Sequence, residues 1–276
     1  MGGGAGGGYV NEDYQAPPPN MNPPALPKVT TVEQATDLLT NNPLYQQAVP
    51  GPTRCDIQVI NLTTASDAQL TAHMNDLMVC LMRVWEGPVR DAGFQMPRPP
   101  VSVYSAPITT ACGKTGTKNA FYCPADQRIY YARDLPTVIP PAIRDSRFVI
   151  EMVVAHEFGH AIQARTGILV SSNALGEMTG TKAGANLYSR RTEVQADCFA
   201  GLFLRSVSQS AGMTQAELAN ISALARSIGD DTLSGKPSID GNHGLAQSRQ
   251  YWTELGLAST HARVANTFTA PENLVR

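Results

Sequence analysis

No run of eighteen apolar residues occurs in this 276-residue chain, so nothing in it is expected to span a bilayer. Its opening residues lack a positive charge followed by an apolar core, the pattern of a secretory signal. Charge is scarce: Asp, Glu, Lys and Arg make up 16% of residues and the net charge is −2. With no basic block and no basic–aromatic alternation, nucleic acid is excluded as a partner. Histidine is rarer still, with five in the chain. Two of those five stand four residues apart, and that spacing carries the most information.

Residues 156–160 read His-Glu-Phe-Gly-His. On a helix, positions i and i+4 share one face, so His156 and His160 can present two nitrogens to one cation. Glu157 follows the first of them, where its carboxylate can reach a water rather than the cation itself. Two neutral nitrogen ligands beside a carboxylate general base suit Zn²⁺ used for hydrolysis, one ion per chain. Apolar residues at helical spacing, including Phe148, Met152, Phe158 and Ile162, predict a helix over 145–166, started by Asp145 and stopped at Thr166-Gly167.

A hydrolytic zinc needs a third protein ligand. Glu193 and Asp197 stand at i and i+4 in a second predicted helix over 189–201, so one carboxylate can bind metal while the other accepts the free N–H of a ligating imidazole. Ala196, Ala200 and Gly201 would let this helix approach the first closely.

H-E-x-x-H followed some thirty residues later by E-x-x-A-D resembles the glutamate-zincin arrangement of metallopeptidases. The resemblance implies Glu193 as third ligand and Asp197 behind a ligating His. The second motif is also similar to that of membrane-embedded zinc endopeptidases, whose transmembrane helices this chain lacks. The closer resemblance is to the neutral zinc metallopeptidase family of bacteria. Four blocks carry it: Ala111 to Gly113 with Phe121 to Gln127; His156 to Gln163; Glu193 to Gly201; and Gly229 to Asp231 with His243-Gly244, continuing to Arg249 and Trp252. It implies a zincin-like, mainly helical α+β domain with a small sheet or hairpin, and peptidase chemistry on a peptide or protein substrate. Glu157 is the expected general base. His243 is read either as a donor to the tetrahedral oxyanion or as a capping residue, with Arg249 an alternative donor. Asp230 and Asp231 either orient such groups, cap a helix or face solvent. An alternative reading keeps the zinc but not the turnover: an idle subunit of a cell-envelope complex that binds a partner through the cleft.

Elsewhere, Ser66 with Gln69 predicts the start of a long helix to about residue 92, with His73 on its apolar stripe as a core residue. Helices are also expected over 31–40, 213–228 and from 244 or 245 to 255. Val101 to Tyr104 reads as a strand. Phe121 to Cys123 and Arg128 to Ala132 read as a hairpin that is either structural or a strand-addition site for substrate. Residues 168–188, punctuated by Gly176, Gly180 and Gly184, are expected to form a loop near the cleft. The last twenty residues are expected to add little.

Residues 1–28, rich in Gly and Pro, are read as a disordered arm ahead of a single domain over 29–276. Such an arm is what remains when an anchoring segment lies upstream of Met1, so a membrane-associated partner or anchor is part of the expectation. Five cysteines allow two disulfides, Cys112–Cys123 and Cys55–Cys80, which favour an extracytoplasmic or cell-envelope setting over reduced thiols in a cytosol. Cys198 is left over and reads as a small buried apolar residue.

Overall fold

In the computed structural model, residues 8–276 apart from 58 and 63 are described. Helix α1 (Val32–Thr40) starts at Thr31, whose side chain accepts from the Gln34 N–H. Helix α2 (Asp67–Asp91) starts at the reciprocal Ser66–Gln69 cap read from the sequence. Five strands follow: β1 (Val101–Tyr104), β2 (Ile108–Thr110), β3 (Gly113–Thr115), β4 (Ala120–Cys123) and β5 (Arg128–Ala132). The remaining helices are α3 (Pro141–Arg144), α4 (Val149–Arg165), α5 (Ile168–Met178), α6 (Lys182–Val207), α7 (Gln215–Ser227), α8 (Asp230–Ser234) and α9 (Ala246–Leu257). The architecture is α+β and mainly helical, as expected.

The larger sheet has the order β1-β5-β4, with β1 parallel to β5 and β4 antiparallel to it, in register Phe121 opposite Tyr130. Strand β4 is therefore an edge. The core fills the space between α2, α4 and α6, where Trp85 meets Phe199 edge-on at 5.2 Å. Helix α4 is buried nearly all round, so its sequence is mainly apolar on every side, with Glu151, Gln163 and Arg165 the polar residues outside the motif. Helix α6 lies against α4 at unusually short range: a Cβ added to Gly159 would sit 3.1 Å from the Ala196 Cα. A side chain there would have to push Ala196 back by a few tenths of an ångström, and this close approach brings the two halves of the site together.

Four expectations need correction. Residues 8–28 do not stand off as a disordered arm. Val10 N–H bonds the Pro52 carbonyl, Asn20 N–H bonds the Arg98 carbonyl, and Tyr14 donates to Glu86. The Pro24 carbonyl accepts from Gln127 and Arg165 at 2.9 and 2.8 Å. Extended Pro-rich backbone has few N–H groups to satisfy, so it can lie along a surface without belonging to a sheet. Residues 1–7, the rest of that arm, lie outside the described residues.

The stretch 168–188 is helical rather than a loop. Gly176 permits contact, since a Cβ there would meet Tyr188 at 3.2 Å where α5 packs on α6, while Gly180, at φ 63°, turns the chain between the two helices. Asp145 does not cap α4. It ends α3, and α4 starts at Phe148, whose φ of 68° turns the chain while its ring stays buried.

The final residues also contribute. Arg191 donates to the Thr267 and Ala270 carbonyls, Arg190 to that of Val275, and Trp252 to that of Leu274. Cys55–Cys80 and Cys112–Cys123 are joined as expected, and Cys198 is buried. No helix of the described residues is long and apolar enough to cross a membrane.

Candidate metal centre

Helix α4 carries His156 and His160 on one face, one turn apart, and their rings meet edge to face with centroids 4.7 Å apart. Their Nε2 atoms approach to 3.1 Å. Glu193, projecting from α6, places one carboxylate oxygen 3.3 Å from His156 Nε2 and the other 3.5 Å from His160 Nε2. The three donor groups lie within 4.8 Å of one another. Tetrahedral zinc with ligand arms of about 2.0–2.1 Å would space its nitrogens at about 3.3 Å. The donor set thus fits that ion in chemistry and in span.

The outer nitrogens settle the tautomers. His156 Nδ1 lies 2.8 Å from Asp197 Oδ1, and a carboxylate can only accept, so Nδ1 carries the proton. His160 Nδ1 lies 2.8 Å from Gln163 Oε1. That amide cannot be flipped, because its Nε2 donates to the Thr192 carbonyl at 2.7 Å and to Gln195 Oε1 at 3.0 Å. Both rings therefore turn Nε2 toward the same point, where the two nitrogens can share a proton or hold a cation.

Electrostatics point the same way. Three carboxylates, from Glu157, Glu193 and Asp197, converge on two imidazoles. Burial pulls the His156 pKa down, but Asp197 and then Glu193 outweigh it and raise it to about 10. Burial pushes Glu193 up, yet the two imidazoles hold it well below the usual carboxylate range. Asp197 is likewise held low against burial by Arg249 and His156. Glu157 goes the other way: burial raises it, only partly countered by the imidazoles. Without a metal the site recruits a proton as its missing positive charge.

Glu157 is 7% exposed, and its Oε2 accepts from the Tyr122 N–H of strand β4 at 2.9 Å. Arg249 is not aimed at a reacting oxygen. It is buried and grips Asp197 through both ends, Nε to Oδ2 at 2.8 Å and Nη2 to Oδ1 at 2.9 Å. His243 lines the same cleft, of about 630 Å³, with its side chain half exposed. Asp230 holds it: Oδ1 faces His243 Nδ1 at 3.1 Å, and Oδ2 accepts from the His243 and Gly244 N–H groups. Asp231 accepts from Ala246 N–H at the start of α9. Neither Asp simply faces solvent.

Sequence reasoning missed the hold of Gln163 on His160 and that of Arg249 on Asp197. A hint was available for the first: Gln163 is a polar residue at i+3 from His160 in a helix with no other reason to bury an amide.

The signature of the family described as "Putative neutral zinc metallopeptidase" matches residues 33–268. Among curated proteins, the chain is similar to "Uncharacterized protein YpfJ" of Escherichia coli K12, 28% identical over 240 residues that cover 84% of this chain and 80% of that protein. It is also similar to "Uncharacterized protein Rv2575" of Mycobacterium tuberculosis H37Rv, 30% identical over 193 residues, 63% of this chain and 64% of that one. No solved structure matches. With the signature running through both helices of the metal centre and on into the C-terminal segment, the chain belongs to the neutral zinc metallopeptidase family.

Proposed function

We propose that this chain is a zinc-dependent peptidase of zincin type, holding one Zn²⁺ through His156, His160 and Glu193. One observation carries the reading: two inward-facing imidazole nitrogens and a carboxylate converge beside a second buried carboxylate, Glu157, at the floor of an open cleft. When bound, zinc supplies the Lewis acidity that makes water nucleophilic near neutral pH and polarises a carbonyl.

The protein groups do the rest. The Tyr122 N–H fixes one oxygen of Glu157, leaving Oε1 to take the proton of the attacking water and to deliver it to the departing amine nitrogen. Its raised pKa suits a group that must both accept and return a proton. Asp197 and Gln163 hold the Nδ1 protons of the two ligand rings, keeping each Nε2 directed inward. His243, steadied at Nδ1 by Asp230, offers Nε2 to the oxygen that gains charge. Strand β4 offers an edge on which an extended substrate backbone can add. The two disulfides support an oxidising setting, and from them we extend the reading to an extracytoplasmic or cell-envelope site of action on peptide or protein substrates.

The test is a zinc-loaded chain incubated with unstructured protein, with and without chelator. Glu157→Ala should keep zinc and lose about 100-fold or more in cleavage rate. His160→Ala should lose both metal and cleavage. Full activity in Glu157→Ala removes the mechanism. Retained zinc with no cleavage by the unaltered chain would favour instead the idle, partner-binding subunit.

A further inference from the structure

A second cavity lies outside the metal cleft and shares no lining residue with it. It holds about 470 Å³ between α2, the start of α4 and the end of α6. Cavities of roughly 300–1,000 Å³ are the size that small molecules fill. Its walls are apolar: Leu77 of α2, Phe148 at the start of α4, and Phe203, Leu204 and Val207 of α6. Its roof is the stretch from Cys55 to Leu62, whose described residues belong to no helix or strand. That roof is fixed at one end by the Cys55–Cys80 bond and at the other by the Ser66 cap of α2.

One polar pair interrupts the apolar lining. The His73 side chain, 3% exposed, places Nε2 3.2 Å from Oε1 of Glu151, which projects from α4 with its side chain 14% exposed. Apolar residues of similar volume would stabilise such an interior as well or better, so stability does not account for the pair. Among the described residues the Glu151 side chain meets no other polar partner, which leaves its second oxygen for a guest.

The charges around the cavity are unequal. Asp56 and Asp145 line it from exposed positions and Glu151 lies within, against the single guanidinium of Arg147. That guanidinium is already committed. Its Nη1 meets Glu217 at 3.1 Å, its Nη2 donates to the Ala211 carbonyl at 2.8 Å, and its face covers the Phe148 ring. An anionic guest would be repelled here, and a cationic one attracted.

From the volume, the apolar walls and this balance of charge, we infer that the cavity binds a small apolar amine, with its ammonium on Glu151 and its hydrocarbon body against Leu77, Phe203 and Leu204. The site is independent of the metal chemistry and stands whether or not the chain cuts peptides.

Calorimetry on the zinc-loaded chain at neutral pH tests this with three probes of one shape: hexylammonium, hexanoate and hexanol. Hexylammonium should bind about tenfold tighter than hexanoate or more, with hexanol between them. Glu151→Gln keeps the shape of the floor and should bring hexylammonium down to the affinity of hexanol. Ile57→Trp fills the cavity from its roof and should abolish binding of all three in a chain that still unfolds cooperatively. Equal or tighter binding of hexanoate overturns the assignment, and so does the absence of binding by every probe. Hexylammonium held unchanged by Glu151→Gln, or displaced by a hydroxamate directed at the zinc, sits in the metal cleft and overturns it as well.

Discussion

The two histidines of the motif look equivalent in sequence, yet the protein holds them by opposite means. Behind His156 stands a charged pair, Asp197 and Arg249, buried and doubly bonded. Behind His160 runs a neutral relay: Gln163 to Gln195, then Gln195 to the Tyr45 hydroxyl at 2.9 Å and the Ala265 carbonyl at 2.8 Å, and the Tyr45 hydroxyl on to the Leu39 carbonyl. The charged support sets how strongly its ring attracts a proton or a metal. The neutral one sets direction only, and ties the site to the N-terminal helix and to the C-terminal segment. One ring is tuned and the other is aimed.

The largest effect should come from the charged side. Asp197→Ala leaves Arg249 buried without its partner and should cost about 3–5 kcal/mol in denaturant unfolding. Zinc affinity should also fall by about 10- to 100-fold, read by titration against a competing chelator. Adding Arg249→Met should restore much of the stability but not the affinity. If stability and affinity recover together, the pair is not acting through His156.

The pH response of the metal-free protein sharpens the contrast. The folded pKa of His156 lies above its ordinary value of 6.5, at about 10. Its contribution is therefore fully present below pH 6.5 and is lost as pH rises toward 10, with a limiting slope of about 1.4 kcal/mol per pH unit for one proton. Unfolding midpoints of the chelator-treated protein at pH 6.5, 8 and 9.5 should fall in that order. Asp197→Asn should flatten the trend.

A smaller loss is expected on the neutral side. Gln163→Leu removes one acceptor and strands the Gln195 amide oxygen, at about 1–3 kcal/mol. Zinc affinity should drop about tenfold without a change in the slope with pH, since no charge is removed. An altered slope would show that the relay carries more than orientation.

The contrast also explains what could be read in advance. The convergence of the His pair, Glu193 and Asp197 was legible because residues at helical spacing share a face. Helix α2 was legible through its cap, and α7 through Thr214 with Glu217. Supports that act across the fold left weaker traces: Tyr45 and Gln195 lie 150 residues apart in sequence, and nothing in either neighbourhood announces the other. Glycine was misread over 168–188 because closeness of helices and freedom of backbone use the same residue. Phe148 was missed as the start of α4 because that helix has no side-chain cap for sequence rules to find: the chain turns into it through a left-handed Phe148 whose ring lies 4.6 Å from the Arg147 guanidinium.

Gly159 touches none of the candidate donor atoms, yet it governs how far Glu193 must reach. The contact between its bare Cα and Ala196 acts as a spacer of zero thickness between two rods, and Glu193 rides on the second rod. A single methyl group there would press the rods apart by a few tenths of an ångström, drawing Glu193 back from both rings while His156 and His160 keep their spacing. The dimensions of the cage are thus written in an omitted side chain.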